Sequence, residues 1–188
     1  MPAQIHEESR DAWKRLLRVV IAILVVGGCT TAAVDSPSRR AQAVLRNNVG
    51  QQVGLATLTE QAEGVQIEIA AKGLPPGAKG LHIHGVAKCD PPDFASAGAH
   101  FNPTGKKHGR LNPEGSHAGD LPNLVVAADG TASLDAITQA ATLRSGVPGS
   151  LFGEGGTSLV IHAQADDEKT DPTGNSGARI ACGVITRS

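Results

Sequence analysis

A chain of 188 residues has room for one domain with a sizeable core and some additional segments. Its 17 Lys and Arg against 18 Asp and Glu leave a formal net charge of -1 at pH 7, a balance that offers no case for a nucleic-acid partner, which would need a basic face. Tyrosine is absent and glycine and proline are abundant, so the core has to come mainly from Val, Leu, Ile and Ala between many turns.

Residues 1–28 read as an export signal. Arg10, Lys14, Arg15 and Arg18 form a basic region, and the apolar run from Val19 to Val26 is too short for a permanent bilayer-spanning helix. Val26-Gly27-Gly28-Cys29 resembles a bacterial lipobox, which would make Cys29 the lipid-bearing first residue; cleavage after Thr31-Ala32-Ala33 is the alternative. The cysteine count is odd and Cys29 stands apart from the other two, which favours lipidation. The expectation is an exported protein of the periplasm or cell envelope, touching the membrane only through a lipid anchor. Residues 29–40 are small and polar, as in a flexible tether, and a single domain is expected over 41–188.

Strands are expected at 41–46, 52–59, 65–71 and 81–84, then at 123–127, 131–136, 158–163 and 179–186. Gln66-Ile67-Glu68-Ile69 alternates polar and apolar, as a sheet with one wet face demands. Ala128-Asp129-Gly130 marks a hairpin, 73–80 a connection, and 138–143 offers at most one helical turn. The fold class is therefore all-β: an eight-stranded Greek-key barrel or immunoglobulin-like sandwich with long loops.

The segment 79–120 holds five of the seven histidines, His82, His84, His100, His108 and His117, and ends in Asp120. Side chains alternate along a strand, so His82 and His84 share one face while Leu81 and Ile83 share the other. His162 sits in a second strand, and His6 lies in the leader. A lone histidine is usually structural, but neutral imidazole is the commonest metal ligand, and this density points to a metal centre. Cys89 and Cys182 lie in the exported part, where disulfides persist, and joining them would pin the histidine-rich loop to the last long strand. The chain-entropy model gives such a closure about 4–5 kcal/mol as an upper figure. Two free buried thiols are the alternative.

Together, His82-Ile83-His84, Gly98-Ala99-His100-Phe101-Asn102-Pro103, Lys107-His108-Gly109, His117-Ala118-Gly119-Asp120-Leu121, Leu159-Val160-Ile161-His162 and the run from Thr173 through Arg179 to Ile185 resemble the bacterial copper–zinc superoxide dismutases. The resemblance extends from about Ala41 to the C-terminus. It implies copper on His82, His84, His100 and His162, and zinc on His100, His108, His117 and Asp120, with His100 bridging the two cations. Four nitrogens suit Cu²⁺, and three nitrogens with one oxygen suit Zn²⁺. It further implies that Asp166 holds the free ring N–H groups of His82 and His108, and that Arg179 faces copper and binds the incoming anion. The family activity converts superoxide to dioxygen and hydrogen peroxide by copper cycling, with His100 moving a proton. Lys106, Lys107 and Lys169 are candidates for steering the substrate. The alternative is a non-catalytic copper- or zinc-binding or metal-delivery module on the same barrel. A zinc hydrolase is disfavoured, since neither His-Glu-x-x-His nor a Gly-x-Ser-x-Gly elbow occurs. Monomer and homodimer stay equally open.

Overall fold

In β1 (Arg40–Asn47), Ala41, Ala43 and Leu45 are wholly buried while the residues between them face outward, the period-2 pattern of a strand with one wet face. The computed structural model describes residues 39–188. The expected signal segment, Cys29 and the tether as far as residue 38 lie outside the described residues.

After β1 come β2 (Gln52–Gln61), β3 (Gly64–Ala71), β4 (Gly77–Lys79), β5 (Leu81–His84), β6 (Leu124–Val126), β7 (Ala132–Thr138), β8 (Ser158–His162), β9 (Arg179–Val184) and β10 (Thr186–Arg187). All pairings are antiparallel. One sheet runs β5-β8-β9-β1-β2-β3-β7, with β10 on β1, and a second pair is β4-β6. The β6–β7 turn and the step from β4 into β5 join the ends of the large sheet through the small one, curling the whole into a barrel.

Each of the eight expected strands is present, with two differences. The connection at 73–80 contains β4, a three-residue strand too short to carry a periodic signal. The last expected strand breaks at Ile185, whose side chain is buried and whose N–H donates to Thr157 O at 3.0 Å, leaving β10 separate. At 138–143 no helix forms: Thr138 ends β7, residues 139–140 make a short turn, and Glu60 then accepts from Thr142 Oγ1 and Leu143 N at 2.6 and 2.5 Å.

Leu45, Leu58, Ile67, Leu81, Ile83, Leu121, Leu124, Leu143, Leu151, Leu159 and Ile161 fill the barrel, each almost fully buried. Such side chains contribute roughly 1.5–3 kcal/mol each by leaving water. A smaller cluster of Phe94, Ala97, Val160 and Cys182 lies outside that core, with Cys89 packed on it. There Cys89 and Cys182 form a disulfide across 93 residues of sequence, with a Cα–Cα distance of 5.6 Å. That bond ties the long loop after β5 to β9.

Candidate metal centre

All four side chains of β5 are buried. Leu81 and Ile83 join the core, so His82 and His84 must lie on the opposite face, under the long loops. The loops are seated on β5 by backbone bonds: Ile83 donates to Gly119 O at 2.9 Å and accepts from Phe101 N at 2.8 Å, while Gly85 donates to Ala99 O at 2.9 Å. This places His100 opposite His84 and Asp120 opposite His82. A Cβ at Gly119 would run into the Ile83 carbonyl, so close seating needs glycine there. His162, on β8, completes the gathering. The ring of His100 lies 4.0, 4.9, 5.2 and 5.4 Å, centroid to centroid, from those of His82, His84, His108 and His117.

Hydrogen bonds decide which nitrogen of each ring is free. His82 Nε2 donates to Asp166 Oδ2 at 2.7 Å, His84 Nδ1 to Gly98 O at 2.9 Å, and His162 Nδ1 to Gly177 O at 3.1 Å. Since those partners are acceptors, a neutral imidazole must leave its other nitrogen as a bare lone pair. His84 Nε2 and His162 Nε2 then face one another at 3.4 Å, two acceptors without a shared proton. His82 Nδ1 and His100 Nε2 are buried with no hydrogen-bond partner. These four nitrogens belong to one tight group, His82, His84, His100 and His162. Orphaned buried acceptors are costly, and a cation among them removes the cost.

The second group converges on one carboxylate oxygen. Asp120 Oδ1 lies 3.0 Å from His100 Nδ1, 3.0 Å from His108 Nδ1 and 3.2 Å from His117 Nδ1. Its Oδ2 accepts the N–H groups of Gly109 and His117 at 2.9 and 3.0 Å, which fixes the carboxylate. By proximity alone His82 also falls in with His100, His108 and Asp120. Its Nε2 is committed to Asp166, and His117 Nδ1 stands beside the same group, 3.2 Å from Asp120 Oδ1 and 3.4 Å from His100 Nδ1. His108 Nε2 donates to Asp166 Oδ1 at 3.0 Å. Both donor sets therefore fit a metal, the first with nitrogens alone and the second with nitrogens and one oxygen.

Burial, chiefly, holds His84 down to about 2, His162 to about 3 and His100 to about 4, with neighbouring rings adding to it. These rings stay neutral, as ligands must be. At His108 burial also acts downward, but Asp120 and Asp166 outweigh it and raise the ring to about 9. Burial would raise the Asp120 carboxyl, yet hydrogen bonds from His100, His108, His117 and the Gly109 N–H hold it well below the usual carboxylate range. Asp166 is likewise held low, against its burial, by His108, His82 and the Glu168 N–H.

Arg179 lines an open cleft of about 970 Å³ together with His100 and His117. Its Nη1 donates to Phe94 O and its Nη2 to Gly98 O, each at 2.6 Å. Burial lowers its pKa somewhat, with Asp93 opposing, and it remains a cation. Lys106, Lys107 and Lys169 do not line this cleft, and Lys107 is 3.7 Å from Asp171. The backbone acceptors Gly98 O and Gly177 O and the residue Asn123 were not singled out from sequence. Asn123 Nδ2 donates to Asp166 O at 2.9 Å and its Oδ1 accepts from Asp166 N at 2.8 Å. Its place directly before an apolar strand is the one available signal.

The sequence model of the copper/zinc superoxide dismutase family matches residues 52–185. The Cu-Zn superoxide dismutase 2 of Aquifex aeolicus is 52% identical over 155 residues, 82% of this chain and 91% of that protein. The Cu-Zn superoxide dismutase of Caulobacter vibrioides is 43% identical over 147 residues, 77% of this chain and 84% of that one. Among solved structures, a SOD-like protein from Bacillus subtilis superposes with a TM-score of 0.74 at 45% identity, covering 76% of this chain and 96% of that one.

Proposed function

The chain belongs to the copper/zinc superoxide dismutase family, and from that premise we propose that it converts two superoxide anions and two protons to dioxygen and hydrogen peroxide. In this proposal His82, His84, His100 and His162 hold copper, and His100, His108, His117 and Asp120 hold zinc. The observation that carries it is the double commitment of His100: Nδ1 is drawn to Asp120 while Nε2 is orphaned in the other histidine set.

Copper held by His82, His84, His100 and His162 would supply the one-electron redox chemistry, since zinc has no redox couple. The chain does the rest. Arg179 holds a planar, permanently charged fork at the cleft and draws in a small anion. His82, His84 and His162 keep their orientation because Asp166, Gly98 O and Gly177 O each fix the opposite ring nitrogen. His100 Nε2 is the atom at which a proton can be held for the departing peroxide, with Nδ1 tied to the second cluster.

The proposal extends to location: residues 1–28 direct export, Cys29 carries the lipid, 29–40 form the tether and 41–188 the catalytic domain in the cell envelope. The sequence motifs support it, as does a disulfide of the kind that persists in oxidising compartments. Mass spectrometry of the mature N-terminus in wild type and Cys29→Ser tests the anchor. Metal analysis beside a superoxide assay tests the activity. One copper and one zinc per chain with turnover is expected; metal without turnover would favour the non-catalytic binder.

A further inference from the structure

The loop between the disulfide and His100 contains a side chain in an unfavourable backbone conformation. Phe94 has φ 54° and ψ 25°, left-handed geometry that a residue with a bulky Cβ substituent adopts only when its surroundings impose it. Its ring is buried against Ala97, Val160 and Cys182, with Cys89 alongside, so the ring is seated on the disulfide and on the barrel wall behind it. Val160 pairs in register with both His82 and Cys182, so that wall also carries a histidine of the candidate centre.

The chain reversal at Phe94 opens the short 3-10 turn Ala95–Ala97 and aims two carbonyls the same way. Phe94 O accepts from Arg179 Nη1, and Gly98 O, at the far end of the turn, accepts from Nη2, each at 2.6 Å. The same Gly98 oxygen takes the His84 Nδ1–H at 2.9 Å. One turn thus sets the place of the guanidinium relative to a ring of the metal centre, and the Phe94 side chain is its footing.

We propose that Phe94 is a positioning residue for Arg179: its buried ring, wedged against the disulfide, fixes the two carbonyls that hold the guanidinium fork toward the cleft. The role rests on the reading of Arg179 as the anion-binding group.

The test compares metal-loaded full-length wild type with Phe94→Ala, Phe94→Val, Phe94→Leu, Arg179→Ala and the Phe94→Ala/Arg179→Ala double variant. Metal content, kcat/KM for superoxide and azide affinity are measured for each. Phe94→Ala should retain both metals while kcat/KM and azide affinity each fall roughly three- to tenfold, a fraction of the roughly 10²-fold that a 1 Å misplacement can cost. Phe94→Leu, which refills the cluster, should recover most of the loss. In the Arg179→Ala background, removing the ring should cost nothing further, because the group it positions is gone. Should Phe94→Ala not fold, Phe94→Val carries the test: it keeps apolar bulk but disfavours left-handed geometry, and should show the same joint loss. Full activity in the Phe94 variants beside a slow Arg179→Ala would overturn the inference. An equal loss with and without Arg179 would also overturn it, by showing general loosening. An Arg179→Ala variant as fast as wild type would instead remove the role assigned to Arg179 itself.

Discussion

His82 and His108 donate to opposite oxygens of one carboxylate, that of Asp166, at 2.7 and 3.0 Å. One belongs to the all-nitrogen group and the other to the group around Asp120, so the acid links the two groups. Outer partners of this kind commonly contribute 10–100-fold to metal affinity. Asp166→Ala should therefore weaken both copper and zinc binding by roughly that factor, read by chelator competition. Unchanged affinity at both sites would show that each ring is oriented by other contacts.

Gly174 makes a sharper version of the same prediction. Its φ is 62°, and a Cβ there would collide with Asp166 Oδ1 and stand 2.6 Å from His108 Nε2. Gly174→Ala should displace the carboxylate, costing about 1–3 kcal/mol of stability from the strained backbone alone and lowering zinc affinity besides. Denaturant titration with and without zinc checks both effects.

Arg179→Ala should keep its full metal complement and lose about ten- to hundredfold in kcat/KM, together with much of the salt dependence, because attraction of a small anion is screened by salt. Stopped-flow rates at several ionic strengths measure it. Undiminished turnover would remove Arg179 from the site.

Protons compete with metal differently at the two ends of the centre. In the metal-free protein His84, His162 and His100 are held at about 2, 3 and 4, below the ordinary value near 6.5. Above that value these rings are neutral folded or unfolded; as pH falls below it only the unfolded chain gains their protons, so stability declines into acid. His108, raised to about 9, acts in reverse: its contribution is whole below about 6.5 and is lost as pH rises through 9. Chelator-treated protein should be most stable near neutrality and weaken on both sides. A midpoint in denaturant that stays flat between roughly pH 7 and 5 would contradict this.

Removing the disulfide by Cys89→Ser should cost about 2–5 kcal/mol. Because the bond also backs the small cluster around Phe94, thermal unfolding and activity should fall together.

Much of this architecture is legible in residue pattern alone. Ala41, Ala43 and Leu45 announce β1 by alternation, and the His82-Ile83-His84 triplet places two rings on one face because a strand has no other way to direct them. What escaped the pattern depends on backbone. Gly98 O and Gly177 O act through carbonyls that every residue possesses, so no side chain marks them. The break at Ile185 reflects a long-range bond to Thr157, and β4 is three residues long. Lysines near the histidines in sequence lie away from the cleft, because distance along an irregular loop says little about which way its side chains face.

The shared ring of His100 is tested most directly by loading copper in the first site and Co²⁺ in place of zinc in the second, then recording the electron paramagnetic resonance of Cu²⁺. A deprotonated imidazole joining two paramagnetic ions couples their spins, so the account predicts that the copper signal is lost when cobalt is present and returns when zinc replaces it. A copper signal of full intensity beside bound cobalt would show that His100 does not join the sites.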